Sequence, residues 1–169
     1  MFDPEAIRAE LQRNREVFSH LLGGKRPAAY TWRPAAGKWN LLEIVCHLYD
    51  EERDDFRARV RHALEARDAP PPIDPVGWVT SRNYAAQGYE AKLVDFLNER
   101  TASIAWLQSL QSPRWDSSFQ HPQRGPQTAR MFLANWLAHD HLHLRQIVRL
   151  EYEHLKAESG EDLNYAGPW

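Results

Sequence analysis

The 169-residue sequence predicts an all-α fold, a bundle of four helices. Three observations carry that prediction. Along four long segments apolar residues recur at steps of three and four, the period of a helix that buries one face. Proline and glycine gather between those segments, where they break helices and shape turns. No segment sustains the apolar–polar alternation of a half-buried strand, and no internal repeat or low-complexity tract interrupts the pattern.

The first helix opens at Asp3-Pro4, an N-cap residue followed by proline at the first helical position. Ile7, Leu11, Phe18, Leu21 and Leu22 form its stripe, and Gly23-Gly24 stop it. A connection rich in Pro, Gly and aromatics follows. The second helix starts after Asn40, with Glu43 placed to complete a capping box. Its stripe is Leu41, Ile44, Val45, Leu48 and Phe56, and it runs to about Arg67 before Pro70-Pro71-Pro72 and Pro75-Val76-Gly77 break it. The connection onward through Trp78 to about Arg82 is too long for a plain turn. It is a candidate active-site wall and implies a crossover in an otherwise up-down bundle. The third helix covers roughly 83–111, with Tyr89, Leu93, Phe96, Leu97, Ile104 and Leu107 on one face. A loop containing Pro113, Pro122, Gly125 and Pro126 leads to the fourth helix, about 127–157, and residues 159–169 read as irregular.

This length suits one domain, residues 1–169, with a sizeable core. A net charge of −2, with acidic and basic residues interspersed, provides no field to recruit nucleic acid or an anionic membrane. Cys46 stands alone, which excludes an intramolecular disulfide and any cysteine-rich zinc ribbon. No apolar stretch approaches the roughly 20 residues that span a bilayer. Met1-Phe2-Asp3-Pro4-Glu5 has none of the marks of a signal peptide, so the expected location is the cytoplasm. Amphipathic helices of this length also make a homodimer plausible.

His139-Asp140-His141-Leu142-His143 is the most informative stretch. Imidazoles four residues apart share one helix face and can hold one metal ion. Stepping from Trp136 through His139 and His143 to Ile147 follows the apolar seam, so both face the interior. His141 is turned about 200° from His139 and belongs to the surface. Two buried imidazoles need partners for their nitrogens, which a metal supplies and which Tyr, Asp or backbone carbonyls also could. His47 lies at the edge of the second helix's stripe, beside Ile44. Asp50, Glu51 and Glu52 near it could orient a ligating imidazole or supply an oxygen ligand, while Glu51 on its own reads as part of a solvated acidic face. His47, His139 and His143 together would leave an ion with an open position.

Lys38-Trp39-Asn40 followed by His47-Leu48-x-Asp50-x-Glu52 resembles the second-helix signature of the DinB/YfiT-like superfamily. His139-Asp140-x-x-His143-x-x-Gln146-Ile147 resembles its last-helix signature, and the likeness spans nearly the whole chain. The resemblance implies a four-helix bundle with a divalent metal held by His47, His139 and His143 near one end. Some relatives replace one of these histidines with Glu; this chain keeps all three. It also implies chemistry: characterised relatives include thiol transferases and isomerases that use bacillithiol, mycothiol or glutathione.

The expected function is therefore a metal-dependent thiol S-transferase, or a related hydrolase, acting on a small electrophile. Its cofactors are a divalent ion (zinc, nickel, iron and manganese all suit three imidazoles) and a low-molecular-weight thiol. The ion acts as a Lewis acid that lowers the pKa of a bound thiol or water. Glu52 or Asp140 serves as base or orienter. Tyr49, Trp78, Arg82 and Tyr84 form the polar wall of the substrate pocket. Cys46 points about 100° away from His47 and is no nucleophile. The alternative is a non-catalytic, stress-associated bundle that binds a metal or ligand.

Two other readings fail. His139-Asp140-x-x-His143 copies the zincin spacing with Asp for Glu, but no third zincin ligand follows downstream. Glu151-x-x-His154 is one copy of a di-iron element that needs two.

Overall fold

Asp3 caps the first helix as its sequence requires, its carboxylate accepting from the Ala6 amide at 3.0 Å ahead of Pro4. A computed structural model describes residues 1–168. The first helix, α1, is Pro4–Leu22. The connection after it contains a short helix, α2 (Pro27–Thr31). Asn40 and Glu43 then form the expected capping box, and Arg33 clamps the Glu43 carboxylate at 2.6 and 2.7 Å.

The helix begun at Asn40 is not uniform. It runs as α3 (Leu41–Asp50), passes through a π turn at Glu51–Phe56, and continues as α4 (Arg57–Leu64). A π turn is rare and often marks a functional site, because it holds roughly one more residue than an α turn and rotates everything beyond it. The second long connection carries α5 (Pro75–Ser81), capped by Asp74, and a 3₁₀ turn at Tyr84–Ala86. α6 is Tyr89–Ser109, starting several residues later than the periodicity suggests. α7 is Ala129–Ser159, capped by Thr128 and ended by Gly160 in the left-handed conformation (φ 68°).

The architecture is the four-helix bundle that the periodicity predicts, made of α1, the α3–π–α4 helix, α6 and α7. α1 packs on α6 and α7, α3 packs on α6, and α4 packs on α7. One element escapes the sequence pattern. Strands β1 (Ser118–His121) and β2 (Gly125–Thr128) pair antiparallel in a hairpin where a plain loop is expected. Four-residue strands containing Pro126 are too short to show alternation. The turn closes on Gly125 at φ 70°, a conformation that side chains disfavour.

The core has two apolar halves. Phe18, Ile44, Leu48, Phe96 and Ile147 belong to one; Leu11, Val60, Leu107, Leu133 and Trp136 belong to the other. Between them every long helix turns a buried polar residue inward: Asn14 from α1, Glu52 from the π turn, Arg100 from α6 and Asp140 from α7. Among the described residues no helix is long and apolar enough to cross a membrane.

Candidate metal centre

The polar stratum between the two halves contains two clusters, and the first is ionic. Arg100, 1% exposed, donates through Nε to Glu52 Oε1 at 2.9 Å and through both terminal nitrogens to Asp140 at 2.7 Å each. Trp136 Nε1 donates to the other Glu52 oxygen at 3.0 Å, and Asn14 Nδ2 donates to Asp140 Oδ2 at 3.1 Å. Burial alone would lower the guanidinium pKa, but the two carboxylates overcome that and raise it. All four carboxylate oxygens have partners.

The second cluster is three imidazoles. His47 comes from α3, and His139 and His143 come from successive turns of α7. His139 Nε2 lies 3.2 Å from His47 Nε2 and 3.0 Å from His143 Nε2, and all three ligand atoms fall within 4.8 Å of one another. Nδ1 of His47 and Nδ1 of His143 are buried with no hydrogen-bond partner. Two facing imidazoles can share one proton, but three converging Nε2 atoms leave lone pairs turned on one another unless a cation takes them.

Burial sets the charge of these rings. It pushes His47 down to about 3, helped by charge on His143, and His139 down to about 2, helped by His143, His47 and Arg100. His143 is pushed to about 4, burial outweighing the opposite pull of Gln146 and Asp140. All three are therefore neutral near pH 7, the form that ligates metals. Aromatic rings fix their orientation: Trp39 packs on His47 at 4.8 Å, and Phe56 packs on His139 at 4.9 Å. Phe56 ends the π turn, so the altered winding is part of what covers His139.

A cleft of about 570 Å³ opens onto His139. Phe56 and Arg59 form one wall, Pro72 and Ile73 another, and the hairpin contributes His121 and Arg124. Met131, Asn135, Ala138 and Leu142 line its α7 side. Asp55, also in the wall, is paired with Arg59.

The sequence-predicted residues fall into three groups. His47, His139 and His143 converge, and His141 is exposed, as its position on the helix requires. Glu52 and Asp140 sit in the same stratum, but their oxygens hold Arg100, Trp136 and Asn14 rather than pointing free at the histidines. Tyr49, Trp78, Arg82 and Tyr84 do not line the cleft on His139. Three of them, Tyr49, Arg82 and Tyr84, surround a separate recess of about 60 Å³ with Cys46 and Lys92. There the Tyr84 hydroxyl donates to Asp50 at 2.6 Å, and Arg82 bridges Asp50 and Asp54 while stacking 3.9 Å over Trp78. Tyr49 is held by Arg53 and Lys92. Burial pushes the Cys46 thiol up to about 12, consistent with its exclusion as a nucleophile.

Glu51 corrects the expectation of a solvated face. It is 4% exposed, one carboxylate oxygen has no partner, and burial next to Asp55 pushes its pKa up to about 8. Counting 3.6 residues per turn through a π turn places it wrongly. Arg100, Trp39, Phe56 and the hairpin side chains were also missed. For Arg100 a signal existed: it stands four residues from both Phe96 and Ile104, inside the apolar seam of α6.

A sequence model of the DinB superfamily matches residues 10–147 of the chain. No curated protein matches it. Among solved structures it is similar to YfiT from Bacillus subtilis, a probable metal-dependent hydrolase with an unusual four-helix bundle topology. The TM-score is 0.77 at 18% identity, over 94% of this chain and 89% of that one. At that identity the likeness is one of fold.

Proposed function

The chain belongs to the DinB superfamily, and on that premise we propose that it is a metal-dependent enzyme in which His47, His139 and His143 hold one divalent ion. The observation that carries the proposal is the convergence of three neutral imidazoles, with Nε2 atoms 3.0 and 3.2 Å apart, beside an open cleft. The donor set fits a metal. It offers three nitrogen ligands, no competing charge within the trio, and an approach from the cleft side at His139. Zinc, nickel, iron and manganese all accept such a set.

When bound, the ion supplies Lewis-acid chemistry, lowering the pKa of a small thiol or of water so that the nucleophile exists near neutral pH. The chain's own residues do the rest. Trp39 and Phe56 hold the rings and keep water from all but the cleft side. The Arg100 cluster fixes Asp140, and with it the turn of α7 that carries His139 and His143. Glu52 and Asp140 thus serve as positioning residues, because their oxygens are already committed. The reaction we favour is transfer of a low-molecular-weight thiol to a small electrophile. Hydrolysis is the second reading, supported by the description of YfiT.

The test is elemental analysis of protein purified without a metal-affinity tag, followed by turnover of a model electrophile with glutathione, bacillithiol or mycothiol. Close to one equivalent of metal and metal-dependent turnover are expected. No turnover with any thiol, and no change in the spectrum of the cobalt-substituted protein when thiols are added, would leave a binding protein in place of the enzyme.

A further inference from the structure

The cleft on His139 has a polarity along its length. The α7 residues that line it run from Met131 to Leu142, which at 1.5 Å per residue is about 16 Å. Its middle is apolar, with Phe56, Ile73, Met131 and Phe132. Its charged groups are Asp55, Arg59 and Arg124. Asp55 and Arg59 are paired with each other, both nearly buried, and so cancel. Arg124, in the turn of the hairpin, has no ion-pair or hydrogen-bond partner among the described residues. Beside it His121 accepts the Gln123 amide through Nδ1 at 3.1 Å, which leaves Nε2–H as a free donor. One wall of the cleft therefore presents an uncompensated guanidinium and a ring N–H, while His139 lies in the α7 wall.

We infer that this cleft binds an elongated organic anion, its carboxylate on Arg124 and its apolar body along Phe56, Ile73 and Phe132, with the other end delivered to His139. The inference rests on the reading of the histidine trio as the reacting centre. A guanidinium fork matches a carboxylate in two parallel hydrogen bonds, so the hairpin selects for planar anions over neutral molecules of the same shape. The specificity of the enzyme then resides in the hairpin, an element separate from the bundle that holds the histidines.

The experiment is calorimetric binding of 4-phenylbutyrate and of 4-phenylbutanol, which share a body and differ in charge. Each is measured on metal-free and metal-loaded protein, and on Arg124→Ala, Arg124→Lys and the remote control Arg114→Ala. The acid should bind the metal-free protein more tightly than the alcohol, with affinity falling as salt rises. Arg124→Ala should weaken the acid about tenfold and leave the alcohol unchanged, with Arg124→Lys intermediate and Arg114→Ala without effect. Equal binding of acid and alcohol, or an acid affinity indifferent to Arg124, overturns the inference. Acid binding that appears only with metal also overturns it, since the carboxylate is then on the ion. The metal reading fails separately, if no ion is retained while the metal-free arm still shows discrimination through Arg124.

Discussion

Two clusters of buried polar side chains lie in the same stratum of this bundle, drawn from the same helices, yet they are built in opposite ways. Around Arg100, two carboxylates, an indole N–H and an amide meet so that each charge has a counter-charge and each oxygen a donor. Around His139, three rings of one chemical type turn the same atom toward one point, and two of their outer nitrogens have no partner. Buried polar groups are ordinarily satisfied, so the first cluster is complete as a structural device and the second is complete only with something added. Unpaired polar atoms therefore separate a site from a brace more clearly than burial or charge does. Judged by residue type, Glu52 and Asp140 look more catalytic than any histidine; judged by their bonds, they belong to the brace.

Dismantling the brace should have the largest effect. Arg100→Met leaves two carboxylates buried without a counter-charge and should cost about 3–5 kcal/mol in urea denaturation. Replacing Arg100, Glu52 and Asp140 together with apolar residues of similar volume should recover most of that loss. If the single variant is as stable as the parent, the cluster is not the brace its hydrogen bonds imply.

The histidines should respond the other way. His143→Leu removes a ligand and should weaken metal binding by more than the roughly 100-fold typical of losing an outer-shell partner. In the metal-free state the same variant should be at least as stable as the parent, because an orphaned buried nitrogen is gone. His141→Ala should change neither quantity. Equal metal loss from both variants, measured by elemental analysis, would refute the assignment of faces on α7.

Acid should sharpen the contrast further. The trio's pKa values are depressed in the folded state to about 2, 3 and 4, while the unfolded chain titrates near 6.5. Stability is therefore full above about 6.5 and is lost as pH falls, by about 1.4 kcal/mol per pH unit for each histidine, down to its folded value. Glu51 has the opposite sign: raised to about 8, it costs stability as pH climbs from the ordinary carboxylate range toward 8. Denaturation of metal-free protein at pH 7, 6, 5 and 4.5 checks this. A flat profile below 6.5 would mean that the rings are not buried neutral.

How much of this was legible in the sequence depended on distance along the chain. Asp3, Asn40 and Glu43 announce helix starts through bonds to residues three away, and the structure contains each of those bonds. His139 and His143 betray their shared face by a spacing of four, and the match of His47 to a family motif brings in the third ring. Arg100 and its carboxylates are 40 and 48 residues apart, so no local pattern pairs them. The cleft was misplaced for the same reason. The long connection supplies Pro72 and Ile73 but not the polar residues that looked most useful, and a hairpin too short to announce itself supplies the rest.

The π turn has a consequence for how this chain tolerates changes in length. Removing one residue between Glu51 and Phe56 would let the helix relax to uniform winding, and everything after the deletion would swing by about 100° relative to His47. Phe56 would leave His139, while Val60 and Ala63 would turn out of the apolar half they now fill. A deletion that looks like a repair of irregular winding would thus disconnect the two ends of a helix that is in phase with α7 only because it carries a residue too many.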